Sequence, residues 1–263
     1  MRFTPQLREL RWLVARPIAH RGLHDSNAGI IENTQSAFAG AIENGYAIEC
    51  DIQLSADGEA MVFHDDTVDR LAEAQGAVGA LAATAAPVPS AIASGALRKL
   101  KLRSTSDRMQ TLGELLEQVN GRSTLVIELK SRWDGNAELA KRAVEVLGSY
   151  DGPFGLMSFD PRLLEALREL APDMARGIVA DRATHPYDNF LPISKRCELR
   201  TLAHLERTEP HFVSYNWRDL PFEPITEIRQ RGHPVITWTL RSKEAASRAL
   251  RYCDQVTFEG YTP

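Results

Sequence analysis

Glu49 and Asp51 stand two residues apart in an otherwise apolar run, and Glu128 and Lys130 repeat that spacing in a second run. In an extended chain, residues i and i+2 share a face. Ala47, Glu49, Asp51 and Gln53 therefore line one side of the first run, while Ile48, Cys50, Ile52 and Leu54 line the other. In the second, Leu125, Ile127 and Leu129 oppose Val126, Glu128 and Lys130. Three carboxylates turned toward one interior are costly unless a cation compensates them. An all-oxygen set of this kind suits a hard divalent ion, Mg²⁺ or Ca²⁺, with Mn²⁺ also admissible. For Glu128, an ion pair with Lys130 is the structural alternative. Two histidines, His20 and His64, close short apolar runs, and such a pair lets one imidazole accept a proton while the other donates one. Arg21 and Lys130 add fixed positive charge for an anionic substrate. Metal, two histidines and two cations together indicate phosphoryl transfer or phosphodiester cleavage.

These side chains need a scaffold that brings strand ends together. Strand-like runs occur at 18–22, 47–54, 61–64, 124–130, 154–159, 175–180, 211–215, 235–240 and 255–259. Most are separated by helical patterns with start and stop signals: 33–44 ending at Gly45, Thr111 with Glu114 at capping-box spacing, and Asp160-Pro161 before Leu163, Leu164 and Leu167. This alternation predicts a parallel sheet of βα units. The connection from 54 to 61 is too short for a parallel crossover, and Asp57-Gly58 is a hairpin signal, so 61–64 folds back antiparallel. The eight remaining strands predict a TIM barrel. A two-residue loop at Asp57-Gly58 sets Asp51 directly opposite His64, with Cβ atoms about 5 Å apart. Trp238 lies near the end of a strand, where it either lines a substrate pocket or is buried in the core. Cys50 faces the helices and is a core residue, not a nucleophile. His24, His185, His204, His211 and His233 have no carboxylate pattern around them and read as structural or solvated.

The 263 residues carry 31 basic and 35 acidic side chains, a formal net charge of −4, which excludes a dedicated nucleic-acid binder. One domain spanning 1–263 is expected, since α/β barrels commonly reach ~250 residues. No run approaches the ~18 apolar residues of a membrane span. Residues 1–16 lack the apolar stretch of a secretory signal, and Trp12 with Leu7, Leu10 and Leu13 reads as a short amphipathic helix closing the barrel bottom, with membrane attachment the lesser alternative. Three cysteines at unrelated spacings argue against a disulfide framework, so a cytoplasmic protein is expected. The segment 72–96 holds 11 alanines and reads as an excursion from the barrel. The basic run 98–103 is a solvated face or a contact for an anionic headgroup.

Taken in order, His20-Arg21-Gly22, Glu32-Asn33-Thr34, Glu49-x-Asp51, Asp57-Gly58, His64-Asp65 and Arg70 resemble the glycerophosphodiester phosphodiesterases. Thr111-Leu112-x-Glu114, Glu128-x-Lys130, Ser158-Phe159-Asp160 and Trp238-Thr239 continue the match. The resemblance implies a TIM barrel with a small insertion after the hairpin, near 66–110. It further implies a divalent metal on Glu49, Asp51 and Glu128, and His20 and His64 as the acid–base pair. The substrate implied is a deacylated phospholipid, hydrolysed to sn-glycerol 3-phosphate and an alcohol. Arg21, Lys130 and Trp238 then contact the small-molecule substrate. The family's last strand usually reads Thr-Asp; here Phe258 holds the acidic position and Glu259 is displaced by one, a departure that bears on one pocket wall and on substrate choice. Two alternatives remain, a sphingomyelinase D-like lyase that stops at a cyclic phosphate and a barrel that binds phosphodiesters without turnover. A nitrogen-rich metallohydrolase is less suited, because no His-x-His pair occurs.

Overall fold

In the computed structural model, residues 10–78, 94–183 and 190–263 are described. Nine strands form one sheet: β1 (Ile18–Ala19), β2 (Ala47–Leu54), β3 (Ala60–Val62), β4 (Leu125–Leu129), β5 (Phe154–Ser158), β6 (Arg176–Ala180), β7 (Phe212–Asn216), β8 (Val235–Leu240) and β9 (Gln255–Phe258). The order β1-β9-β8-β7-β6-β5-β4-β2 closes through a β1–β2 pairing, every neighbouring pair parallel, and β3 adds antiparallel to β2. The result is a closed eight-stranded parallel barrel, as the alternation predicts. Helices α1 (Arg11–Val14), α2 (Gln35–Glu43), α3 (Ser94–Leu97), α4 (Leu112–Val119), α5 (Glu138–Leu147) and α6 (Pro161–Leu170) are followed by α7 (Ile193–Thr201), α8 (Leu205–Thr208), α9 (Glu223–Gln230) and α10 (Lys243–Ala249). The Thr111–Glu114 capping box forms, and Asp160 caps α6 ahead of Pro161.

The period-two reading of β2 and β4 holds. Ile48, Cys50, Ile52, Leu125, Ile127 and Leu129 pack outward beneath Leu112, Leu115, Leu139 and Leu163. Inside the barrel, Ile18, Ala47, Val126, Met157, Val179, Phe212 and Ile236 form a separate core with Leu13. Phe212 fits there because Gly177 lacks a side chain: a Cβ on Gly177 would lie 2.3 Å from its ring. Helix α1 plugs the bottom, with Leu13 buried and the Trp12 carbonyl accepting from the Thr124 hydroxyl at 3.3 Å. Leu7, proposed for the same plug, lies outside the described residues, as do His185 and most of 72–96.

Two expectations fail locally. The run 18–22 is a two-residue strand, because Arg21 (φ 54°) and Gly22 (φ 80°) turn left-handed immediately after His20. A Cβ on Gly22 would sit 2.9 Å from Ala37, so only glycine allows the turn to close against α2. The hairpin loop has three residues instead of two. Ser55 N–H donates to the Glu59 carbonyl (2.9 Å), Gly58 N–H donates to the Ser55 carbonyl (3.1 Å), and only Gly58 takes positive φ, at 82°. A type I′ turn needs positive φ at both central residues, and Asp57 does not supply it; its carboxylate accepts the Ser55 hydroxyl at 2.6 Å. The pairing Gln53↔Met61 and Leu54↔Ala60 shifts the register by one, and the Phe63 amide, not His64, meets the Asp51 carbonyl, at 3.0 Å. His64 reaches the barrel mouth from beyond the end of β3. Met61, Phe63, Val68, Ala72, Val78, Leu97, Leu102 and Met109 then form a small core beside β3. In the basic run, Arg98 pairs with Glu114.

Candidate active site

The C-terminal ends of the barrel strands surround a cavity of about 1160 Å³ that contains His20, Arg21, Glu49, Asp51, His64, Glu128, Lys130 and Trp238 in its lining. All eight residues proposed from the sequence thus meet at one place, where barrel enzymes carry their chemistry.

Its floor is acidic. One carboxylate oxygen from each of Glu49, Asp51 and Glu128 lies within 4.8 Å of the others, and all three residues are buried. Burial and the neighbouring charges of Asp51 and Glu128 push the Glu49 carboxyl well above the ordinary carboxylate range. Burial also raises Asp51, but Lys130, His64 and Arg21, with a hydrogen bond from the Asn33 amide (2.9 Å), outweigh it and hold that carboxyl well below its usual range. Lys130 Nζ lies 2.8 Å from Glu128 Oε1 and 3.5 Å from Asp51. Arg21 donates its backbone N–H to Glu49 (2.9 Å) and Nη1 to Glu32 (2.7 Å), and its Nε lies 3.4 Å from Asp51. A group of three converging hard oxygens, one of them driven to keep a proton by burial and by its like-charged neighbours, fits a divalent cation that would take that proton's place.

Both histidines are held in the same manner. His20 Nδ1 lies 2.5 Å from Glu259 Oε2, and Arg241 Nε donates to the other oxygen of that carboxylate at 2.7 Å. His64 Nδ1 lies 2.8 Å from Asp65 Oδ1, and Arg70 grips Asp65 through Nε (2.5 Å) and Nη2 (2.9 Å). Arg70 also donates to Glu32 at 2.7 and 3.0 Å, joining this clamp to Arg21. Burial raises the Glu259 carboxyl, yet His20 and Arg241 bring it down to about 2; Asp65 is lowered by Arg70 and His64 against the same opposition from burial. An ionised carboxylate only accepts, so Nδ1 of each ring carries the hydrogen and Nε2 is left for chemistry. His20 Nε2 lies 3.9 Å from Glu49.

Sequence spacing does not single out Asn33, Asp65, Arg70, Arg241 or Glu259. Asn33, Asp65 and Arg70 stand in the segments that carry the family resemblance, Glu259 is the acidic residue displaced by one in the last strand, and Arg241 had only its strand-end position to betray it. The departure in the last strand has a simple geometry. Ala19 pairs with Phe258, whose ring packs outward edge-on to Tyr46 at 4.9 Å, while Thr257 lines the cavity and Glu259 meets His20. His24 is also nearer the site than its surroundings in sequence suggest: its Nε2 lies 3.9 Å from Glu259. His204, His211 and His233 are buried away from the mouth. Trp238 lines the cavity while donating its indole N–H to the Ser214 carbonyl (3.1 Å), and Cys50 is buried on the outer face.

Comparison with known proteins identifies the family. The model of the glycerophosphoryl diester phosphodiesterase family matches residues 20–255. The chain belongs to that family. It is 27% identical over 240 residues to the glycerophosphodiester phosphodiesterase of Caldanaerobacter subterraneus subsp. tengcongensis, covering 89% of each protein. Its fold is shared by a phosphodiesterase from Oleispira antarctica solved in complex with sn-glycerol 3-phosphate (22% identity, TM-score 0.73, 94% of each chain). It is also shared by a Thermotoga maritima glycerophosphodiester phosphodiesterase (24% identity, TM-score 0.67, 92% of each chain). As a member of the family, the enzyme hydrolyses glycerophosphodiesters. Among the described residues no helix is long and apolar enough to cross a membrane.

Proposed function

We propose that this phosphodiesterase releases sn-glycerol 3-phosphate and an alcohol by metal-assisted acid–base catalysis, with His20 and His64 as the proton-transfer pair. The observation that carries this reading is the matched clamping of both imidazoles by Arg-held carboxylates at the rim of one acidic floor. Glu49, Asp51 and Glu128 would hold Mg²⁺ or Ca²⁺, with Mn²⁺ a further fit to the all-oxygen donor set. When bound, such an ion supplies Lewis-acid stabilisation of charge developing on the phosphate oxygens.

The chain's own residues do the rest. One imidazole Nε2 takes the proton of the nucleophile, either water or the substrate's glycerol 2-hydroxyl. The other protonates the departing alcohol oxygen. Glu259 and Asp65 keep each ring in the tautomer that leaves Nε2 free and stabilise the imidazolium that forms, the role a carboxylate plays behind a histidine in hydrolytic triads. Arg21 and Lys130 provide cationic charge beside the phosphodiester, and Trp238 offers its ring as a wall. The whole chain is one phosphodiesterase domain with 66–110 as an insertion, a reading supported by the small core that joins this segment to β3. A cytoplasmic site of action in lipid and glycerol metabolism accords with three free thiols.

The test is turnover of glycerophosphocholine with added Mg²⁺, followed by phosphorus NMR. The monoester is the expected product. A cyclic phosphate as the end product would make the enzyme a lyase, and binding without turnover would reduce it to a binding barrel.

A further inference from the structure

Behind His20 lies a second cluster of metal-ligating side chains, built from different donors than the acidic floor. One ring nitrogen of His20, one of His24 and one carboxylate oxygen of Glu259 lie within 4.8 Å of one another. The left-handed turn at Arg21 and Gly22 brings His24 back beside His20. Leu23 N–H donates to the Ala37 carbonyl (2.9 Å) and Asp25 N–H to the Ile30 carbonyl (3.0 Å), which anchors the chain on either side of His24. Arg241 binds Oε1 of Glu259, so Oε2 is the oxygen that faces both rings, 2.5 Å from His20 Nδ1 and 3.9 Å from His24 Nε2. That His24 nitrogen is buried and has no hydrogen-bond partner among the described residues. A buried polar atom left unsatisfied is costly, and an ion is one of the few partners that would repay it. The corresponding cluster around the other histidine, Glu32 with His64 and Asp65, is closed to a cation because Arg70 donates to both of its carboxylates.

We propose that His20, His24 and Glu259 form a site for one Zn²⁺ ion, separate from the all-oxygen floor, and that filling it switches the enzyme off. Two imidazoles and a carboxylate are a zinc donor set, with a fourth position left for water, whereas Mg²⁺ and Ca²⁺ prefer oxygen alone. Zinc ligands stand about 2 Å from the ion and hence about 3.3 Å from one another. The His20–Glu259 contact therefore opens by about 0.8 Å and the His24–Glu259 contact closes by about 0.6 Å. Arg241 is exposed and can follow the carboxylate. The inhibition rests on the assignment of His20 to proton transfer. A neutral imidazole that ligates through one nitrogen carries its hydrogen on the other. Zinc on Nδ1 thus moves the hydrogen to Nε2. As a base the ring then has no lone pair to offer, and as an acid it would have to leave as imidazolate.

The experiment measures Zn²⁺ uptake by equilibrium dialysis of the Mg²⁺-saturated enzyme, and glycerophosphocholine turnover over the same range of free Zn²⁺. The wild-type protein should bind one Zn²⁺ per chain while keeping its Mg²⁺, and turnover should fall in step with zinc occupancy. His24→Phe keeps a ring in place and removes the unsatisfied nitrogen, so it should fold. Loss of an outer partner weakens a metal site by about 10–100-fold, so loss of this ligand should weaken zinc uptake by at least about 100-fold. Inhibition, taken against each protein's own zinc-free rate, should shift equally. Equal zinc affinity in the two proteins overturns the site. So does release of Mg²⁺ in step with zinc uptake, which would place the zinc on the floor. Zinc held through His24 with turnover undiminished would overturn the inhibition and, with it, the assignment of His20 to proton transfer.

Discussion

Above β1, β2, β4 and β9 the cavity is bounded by a network of charges, in which Arg21, Arg70, Arg241 and Lys130 each hold a carboxylate. Above β5 to β8 it is bounded by Met157, Phe159, Val179, Trp217 and Trp238, with the Trp238 N–H committed to a backbone carbonyl. Directional groups must be placed within a few tenths of an ångström, and the ionic half achieves this by cross-bracing His20 and His64 with two further residues each. An apolar wall acts by area and shape, and tolerates small displacements. Damage to the ionic half should therefore appear in kcat, and damage to the apolar half in KM and in substrate range.

Removing the divalent ion is the most complete way to disable the ionic half alone. Exhaustive chelation should abolish turnover, Mg²⁺ or Ca²⁺ should restore it, and metal should raise the melting temperature by linkage. Glu49→Gln should weaken metal binding while melting near the wild-type temperature without metal, because Glu49 is already driven to hold a proton there. Full activity with no metal detected by elemental analysis would count against the site. Next in size, His20→Ala and His64→Ala should each lose roughly 10²–10⁴-fold in kcat/KM on an unactivated diester, with an aryl leaving group rescuing only the variant that lacks the acid. Near-normal kinetics for either would remove that histidine from the mechanism. Glu259→Gln should have a smaller effect, about 10–10²-fold in kcat with KM little changed, since second partners of this kind orient and polarise without reacting. A fall in KM-controlled binding with kcat intact would show Glu259 to be a substrate contact instead.

The smallest effect concerns histidines built in the opposite way. His204 is fully buried with neither ring nitrogen hydrogen-bonded, and His211 Nδ1 accepts from the Arg176 N–H at 3.0 Å. Burial pushes both down to about 4. Both are neutral in the fold, whereas in the unfolded chain they take up protons below about pH 6.5. The stability they contribute is thus present above pH 6.5 and is lost as pH falls toward 4, by about 2 kcal/mol each at pH 5. Urea unfolding at pH 7 and pH 5 measures it, and equal stability at both would contradict the assignment.

Local rules made much of this legible. Alternation assigned Glu49, Asp51 and Glu128 to the interior, and that holds because β2 and β4 are regular strands whose outer faces must meet α4, α5 and α6. The end of β1 was overestimated, because the left-handed turn at Arg21 and Gly22 answers to the approach of Ala37 on α2, of which Gly22 is the one local sign in residues 18–22. The hairpin register was off by one because Asp57-Gly58 is compatible with both two- and three-residue loops. His64 still reached the site, since it lies beyond the paired residues and is placed by Asp65 and Arg70.

The sequence by itself determined the barrel, the inward carboxylates and the two candidate histidines, since each follows from periodicity or from short fixed spacings along one strand. The tertiary structure alone decided what holds His20. Its carboxylate partner lies 239 residues away and becomes a neighbour only when β9 closes the barrel against β1. The apolar wall has the same origin: it is assembled from the ends of successive strands whose mutual placement depends on closure and on loop conformation. No local pattern encodes contacts of that range, because the backbone geometry that makes a strand alternate says nothing about which other strand end will face it.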